Sequence, residues 1–66
     1  SINDLEKIVN SGLTTSIKKS EIHFDQLFID IEIEDLSSVT LFLKTNLINA
    51  PNHVACFPDV TITLGL

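Results

Sequence analysis

Hydrophobic and polar residues alternate along residues 27–33, and this period of two predicts a half-buried strand. One side carries Leu27, Ile29, Ile31 and Ile33, and the other carries Phe28, Asp30 and Glu32. The spacing then becomes helical, with apolar positions at Leu36, Val39, Leu43 and Leu47 and with Phe42 beside them. This pattern predicts an amphipathic helix, which Glu34 or Asp35 can start because a carboxylate accepts free backbone N–H groups. The helix ends near residues 46–50, because Pro51 cannot continue it.

Residues 2–11 predict a first, shorter helix. Its apolar face consists of Ile2, Leu5, Ile8 and Val9. Asn3 and Glu6 have the spacing of a capping box, and Gly12 suits the position just after a helix. We therefore expect this helix to pack on the core through one face and to hold its charged residues in solvent.

A hairpin is predicted between the two helices. Residues 13–22 are rich in β-branched side chains and predict its first strand. Residues 23–26 form the turn into the following strand, with Asp25 as the turn residue. Lys18 and Lys19 are interpreted as guards that protect a sheet edge from wrong pairing.

Residues 57–66 predict a third strand, with Pro58 near its start. Its apolar positions are Val60, Ile62 and Leu64, which alternate with Thr61 and Thr63. The predicted order is helix, strand, strand, helix, strand, which gives an α+β fold with a small sheet covered by helices on one face. With 66 residues, the chain forms one small domain or half-domain, 1–66.

The predicted sheet is small, and its last strand exposes an edge unless more strands follow. We expect strands from another chain to complete it, with an interface at Val60, Ile62, Leu64 and Leu66. The chain also begins at Ser1 without methionine and stops within an apolar, β-branched segment. These features predict a processed piece of a larger protein, or a short chain that another polypeptide completes.

Composition argues against several classes of function. The hydrophobic fraction of 44% is that of a globular core rather than a disordered tail. Four basic and nine acidic residues give a net charge of −5, which disfavours binding to nucleic acid or to anionic lipid. The apolar runs are too short to span a membrane. A single cysteine rules out an internal disulfide framework and makes a reducing compartment the default.

The residue types of a few small clusters are compatible with chemistry, but their spacing is not. His53, Cys56 and Asp59 contain metal-ligating types, whereas a structural zinc site needs four ligands in two pairs. The apolar neighbours of Cys56 favour an inert thiol over a nucleophile. His23 and Asp25 could form an acid–base pair, although a surface turn is the simpler interpretation. The acidic positions 30, 32, 34 and 35 lack the spacing of a calcium loop. The sequence thus predicts no catalytic, cofactor or metal site.

Three segments resemble a known family: LFIDI at residues 27–31, EDLSSVTLFLK at 34–44 and FPDVTITLGL at 57–66. They are similar to the N-terminal half of the C subunit of NADH:quinone oxidoreductase, respiratory complex I, and to its mitochondrial counterpart in the peripheral arm. That family has a strand like LTVEV, a helix of the type E-D-L-x-x-V-L-x-F-L-K/R, and then F-x-x-L-I-D-I-T-G-V-D-Y-P. The chain departs from it at Ile62, where the family carries aspartate, and it lacks the D-Y-P that follows.

The resemblance implies a non-catalytic structural subunit, split or truncated, in the peripheral arm of the proton-pumping NADH:ubiquinone oxidoreductase. There it would support electron transfer from NADH to quinone and carry no cofactor. The partners it implies are other peripheral-arm subunits, including a chain that carries the rest of the subunit, with no nucleic acid and no direct membrane span. The implied location is the matrix side of the mitochondrial inner membrane, within the complex; otherwise we expect the cytoplasm.

Two other interpretations stay open. The chain is a small acidic protein-interaction module of another multi-subunit assembly, or it is an enzyme with a site at His23 and Asp25 or at His53 and Cys56. Membership of complex I predicts a partner strand from the chain that carries the rest of the subunit. An interaction module predicts an independent or homo-oligomeric unit that covers the third strand in another way. An enzyme predicts a concave pocket that contains one of the histidines.

Overall fold

The computed structural model describes residues 1–47 and 57–65, and within them it confirms the predicted order of elements and the α+β class. The elements are α1 (Ile2–Gly12), β1 (Ile17–His23), β2 (Gln26–Glu32), a 3-10 turn (Ile33–Asp35), α2 (Leu36–Leu47) and β3 (Val60–Gly65). The three strands form one sheet in the order β1-β2-β3. The predicted strand at residues 57–66 is thus shorter than expected, because residues 57–59 belong to the turn that precedes it.

β2 is the central strand and bonds to a neighbour on each side. It pairs antiparallel with β1 through a tight hairpin and parallel with β3. Parallel neighbours need a crossover connection, because the chain must return to the same end of the sheet before the second strand begins. In this chain α2 lies in that connection, between β2 and β3.

The core lies between the helices and one face of the sheet. Its buried residues are all aliphatic: Val9, Leu13, Leu27, Ile29, Ile31, Val39 and Leu43. The alternation predicted for the second strand is confirmed for its first three apolar positions, and burying such a side chain contributes roughly 1.5–3 kcal/mol. Ile33 is an exception, because the chain leaves the sheet at this residue and enters the 3-10 turn, where half of Ile33 is exposed.

The start of α1 differs from the prediction. The capping box is formed by Ser1 and Asp4 and not by Asn3 and Glu6, since the Asp4 N–H donates to Ser1 Oγ at 3.4 Å and the Ser1 nitrogen donates to Asp4 Oδ2. The N-cap residue therefore lies two positions earlier than that spacing suggested, and the predicted start of the helix at Ile2 is confirmed. Glu34 and Asp35 lie in the 3-10 turn (Ile33–Asp35) directly before α2, a position at which the helix dipole favours negative charge.

The first predicted strand, at residues 13–22, is too long at its start. Leu13 is a buried core residue at the end of α1, and its N–H donates to the Val9 carbonyl at 2.9 Å. The Ile17 N–H in turn donates to the Leu13 carbonyl, which closes a turn at residues 14–16 before β1 begins. The β-branched threonines of this segment are therefore turn residues, because the helix exit takes priority over their strand propensity.

The hairpin turn is tighter than predicted, and its special residue is Phe24 rather than Asp25. His23 pairs with Gln26, so two residues connect the strands. Phe24 has a φ of 58°, in the left-handed region. Two-residue hairpins need positive φ because it matches the twist of the strands, but for a bulky side chain this conformation costs roughly 1–2 kcal/mol.

Gly12 brings the end of α1 against α2. A Cβ atom at Gly12 would overlap the side-chain ring of Phe42, although the φ of this glycine is not positive. Contact with the Phe42 ring, and not backbone freedom, therefore favours glycine at this position.

We expect Gly12→Ala to lower the free energy of unfolding by roughly 1–3 kcal/mol, because the Phe42 ring must move out of its packed position. Ser11→Ala, at the exposed neighbouring position, is the matched control. Thermal or urea unfolding followed by circular dichroism measures both. A stabilised Gly12→Ala chain, as helix propensity alone would give, would contradict the close approach.

Candidate interaction surface

The predicted interface residues Val60, Ile62 and Leu64 lie on β3. In the parallel register of the two strands, they are opposite Leu27, Ile29 and Ile31 of β2. Cα partners share a face, so their side chains point toward the helix-covered side of the sheet. Val60 and Ile62 pack at the border of the core, whereas Leu64 is 38% exposed. Leu66, the fourth predicted interface residue, lies outside the described residues.

The backbone of β3 divides its hydrogen-bonding groups between β2 and the outer side. The Leu27 N–H donates to the Asp59 carbonyl at 2.8 Å. In a parallel ladder such bonds recur at every second residue, so the register directs the backbone groups of Thr61 and Thr63 toward β2. Ile62 and Leu64 consequently turn their N–H and C=O groups outward. Within residues 1–47 and 57–65, no strand pairs with this outer side.

The opposite edge of the sheet, formed by β1, is protected. A bulge interrupts its pairing with β2 between Ile17 and Lys19. Lys18 and Lys19 lie at this bulge, and bulges and lysines are the features with which proteins keep sheet edges from pairing with other chains. The structure confirms that the two lysines lie on an edge strand, whereas the bulge could not be predicted from the sequence. β3, with the sequence VTITLG, has neither feature, so the two edges of the sheet are unequal.

The face of the sheet away from the helices carries charged pairs. Lys18 Nζ lies 3.0 Å from Glu32 Oε1 and crosses toward Gly65 of β3, and Lys19 Nζ lies 2.6 Å from Glu21 Oε1. His23 Nε2 lies 2.6 Å from the other oxygen of Glu21. Glu21 thus lies between the side chains of Lys19 and His23 on the same strand. The three side chains contact one another on the open face, the side of the sheet away from the helices.

Two of these groups have shifted proton affinities. The hydrogen bond from Lys19, followed by that from His23, holds the pKa of the Glu21 carboxyl below its usual value. The hydrogen bond to Glu21 and the charge of that carboxylate raise the pKa of the Lys19 ammonium. The stabilisation through Glu21 is present above the ordinary carboxyl pKa and is lost as the pH falls through the lowered value. That through Lys19 is present below the ordinary ammonium pKa and is lost as the pH rises through the raised value.

The candidate acid–base pair is not formed. His23 contacts Glu21, and its ring packs edge-on against Phe28 with centroids 5.5 Å apart. These residues line a concavity of about 300 Å³ on the open face, whereas Asp25 lines a separate cleft.

The other candidate residues, His53 and Cys56, lie outside the described residues. In the part of the chain that the structure describes, no group of three or more metal-ligating side chains is present.

The larger cleft, of about 850 Å³, lies between the start of α1 and the turn before β3. Its lining includes the apolar residues Ile2 and Leu5, and two others, Leu47 and Phe57, flank residues 48–56. Because that intervening segment lies outside the described residues, we assign no ligand to this cleft. The described residues that line it include no histidine, whereas His23 lines the smaller concavity on the open face.

Comparisons with known proteins give no relationship: no family model, no curated protein and no solved structure matches this chain. Within the described residues, neither helix is long and apolar enough to cross a membrane.

We expect Lys19→Gln to raise the pKa of Glu21 toward the ordinary value of 4.5, because the largest cause of its depression is the hydrogen bond from Lys19. Carboxyl chemical shifts followed through a pH titration by NMR measure this change. Lys18→Gln is the matched control, since Lys18 pairs with Glu32 and not with Glu21. An unchanged Glu21 pKa in Lys19→Gln would show that this pair does not form in solution.

Proposed function

We propose that this chain is a non-catalytic structural subunit whose sheet is completed by a strand of another polypeptide at the outer edge of β3. The observation that carries the proposal is the inequality of the two sheet edges. β1 carries a bulge and two lysines, whereas β3 offers uncharged, β-branched residues and outward backbone groups. An edge of this kind is suited to pairing with an extended segment of another chain.

The small core gives a physical reason for such a partner. Its buried residues are Leu13 and residues on one face of β2 and one side of each helix, while Val60 and Ile62 pack at its border and Leu64 is exposed. A neighbouring strand on β3 would cover these side chains and satisfy the outward N–H and C=O groups of Ile62 and Leu64. The partner would therefore add stability as well as connectivity.

The assembly we propose is the peripheral arm of respiratory complex I, on the matrix side of the mitochondrial inner membrane. This part of the proposal is supported by the sequence resemblance of residues 27–31, 34–44 and 57–66 to the C subunit family. The order of helices and strands is compatible with that resemblance. In this role the chain would hold neighbouring subunits of NADH:ubiquinone oxidoreductase in place, and the electron carriers would belong to those subunits.

The experiment that tests the assembly is native purification through a tag on this chain, followed by mass spectrometry of the polypeptides that co-purify. The expected result is the set of flavin- and iron–sulfur-binding subunits, together with a chain that carries the rest of the C subunit. A chain that purifies alone or only with itself would overturn the proposal. A stable complex without redox subunits would overturn membership of complex I and would favour the second candidate.

That second candidate is an acidic interaction module of another assembly. The net charge of −5 supports it, because an acidic surface favours partners with basic patches whatever their function. It uses the same edge of β3, so the identity of the co-purifying proteins separates the two candidates.

We expect Leu64→Pro to lower recovery of the partner chain roughly tenfold, since proline removes the outward N–H and places its ring where a partner strand would pair. Leu64→Ala is the matched control, because it removes the same side chain but keeps the N–H. Quantitative mass spectrometry of tagged chains measures recovery.

A second proline variant separates the loss of partner pairing from a general folding defect. The fold of the chain should tolerate Leu64→Pro, because the Leu64 N–H takes no part in the pairing with β2. Thr63→Pro, which removes an N–H directed at β2, should unfold the third strand. Equal partner recovery for Leu64→Pro and Leu64→Ala would count against strand pairing at this edge.

A further inference from the structure

Phe24 combines two unfavourable features at one position. It lies at the tip of the β1–β2 hairpin with 97% of its surface exposed, and its φ of 58° lies in the left-handed region. Glycine or asparagine would adopt this backbone conformation at a lower cost. Because the phenyl ring stays in water, it also contributes no hydrophobic stabilisation to the fold. The stability of this chain therefore does not explain phenylalanine at position 24.

The residues on either side of Phe24 brace the hairpin but leave its ring free. His23 turns back over the sheet and packs against the ring of Phe28. On the other strand, Gln26 Nε2 donates to the Pro58 carbonyl at 3.0 Å and ties the hairpin to the turn before β3. The backbone at Phe24 is thus braced on both sides, so the hairpin need lose little conformational freedom when the ring binds.

The charges around the tip are acidic. Asp25 follows Phe24 in the turn and is exposed, and Asp59 is exposed in the turn that Gln26 contacts. Lys18 and Lys19, on β1, pair with Glu32 and Glu21. An aromatic ring beside carboxylates complements an apolar pocket with a basic rim, and it disfavours insertion into an anionic membrane.

We propose that Phe24 is an anchor residue that inserts into an apolar pocket of a partner protein whose rim carries lysine or arginine side chains. Aromatic residues that fill such pockets contribute a large share of the affinity of protein interfaces. This contact lies at the end of the sheet where β2 and β3 begin, and it is distinct from pairing along the edge of β3. It also holds whichever assembly contains the chain.

A photo-crosslinking experiment tests this proposal. Phe24→p-benzoylphenylalanine in the full, tagged chain is expressed in its native cells and irradiated, and the cross-linked peptides are mapped by mass spectrometry. The expected result is a cross-link to one partner protein, at a segment that contains apolar and basic residues. Leu41, half exposed on α2, is the control position for the same substitution. Cross-links only to lipid, only within this chain, or with the same spread as from position 41 would overturn the proposal.

A second variant separates an anchor from a structural residue. Phe24→Gly should lower partner recovery about tenfold or more, while the thermal midpoint of the isolated chain stays equal or rises, because glycine accepts the φ of this position. If the thermal midpoint and partner recovery both fall, Phe24 supports the hairpin itself and the proposal is overturned. Unchanged partner recovery would mean that no pocket of a partner holds Phe24. A Leu64→Pro chain that still cross-links through position 24 would separate this contact from the edge of β3.

Discussion

Burial of one face of β2 is the interaction on which the rest of this fold depends. Leu27, Ile29 and Ile31 are fully buried under the helices. The same residues bond through their backbone to β3, and the residues between them pair with β1. Loss of this strand would remove the surface on which both helices pack and the ladder that holds both neighbours. The chain has one central strand and no alternative centre within its described residues.

The two edges of the sheet matter for the proposed function. A sheet of three strands has two edges. Because a small domain has a high ratio of surface to volume, these edges make up a large share of its surface. The bulge and the lysines of β1 disfavour pairing at one edge, which leaves β3 as the edge at which the proposed partner strand would pair. Under the two proposals, the hairpin tip and the outer side of β3 would make separate contacts, one through a side chain and one through the backbone.

Periodicity predicted the parts of the fold that burial determines. The alternation in β2 and the helical stripe of α2 are strong signals because one face of each element is apolar, and both are confirmed. Competition between local structures determined the other elements. The residues around Leu13 are compatible with either a strand or the end of a helix, and the hydrogen bond from its N–H to the Val9 carbonyl places it at the helix end. The bulge at Lys18 and Lys19 and the positive φ of Phe24 arise from sheet twist and hairpin geometry. No residue pattern in this chain predicts either feature.

Amide hydrogen exchange at β3 tests whether a strand of another chain completes the sheet. If it does, the amides of Ile62 and Leu64 exchange quickly in the isolated chain and become protected in the native assembly, because the partner strand accepts hydrogen bonds from them. The amides of Thr61 and Thr63, which are directed at β2, should be protected in both states. Equally fast exchange of Ile62 and Leu64 in both states would contradict completion of the sheet by another chain.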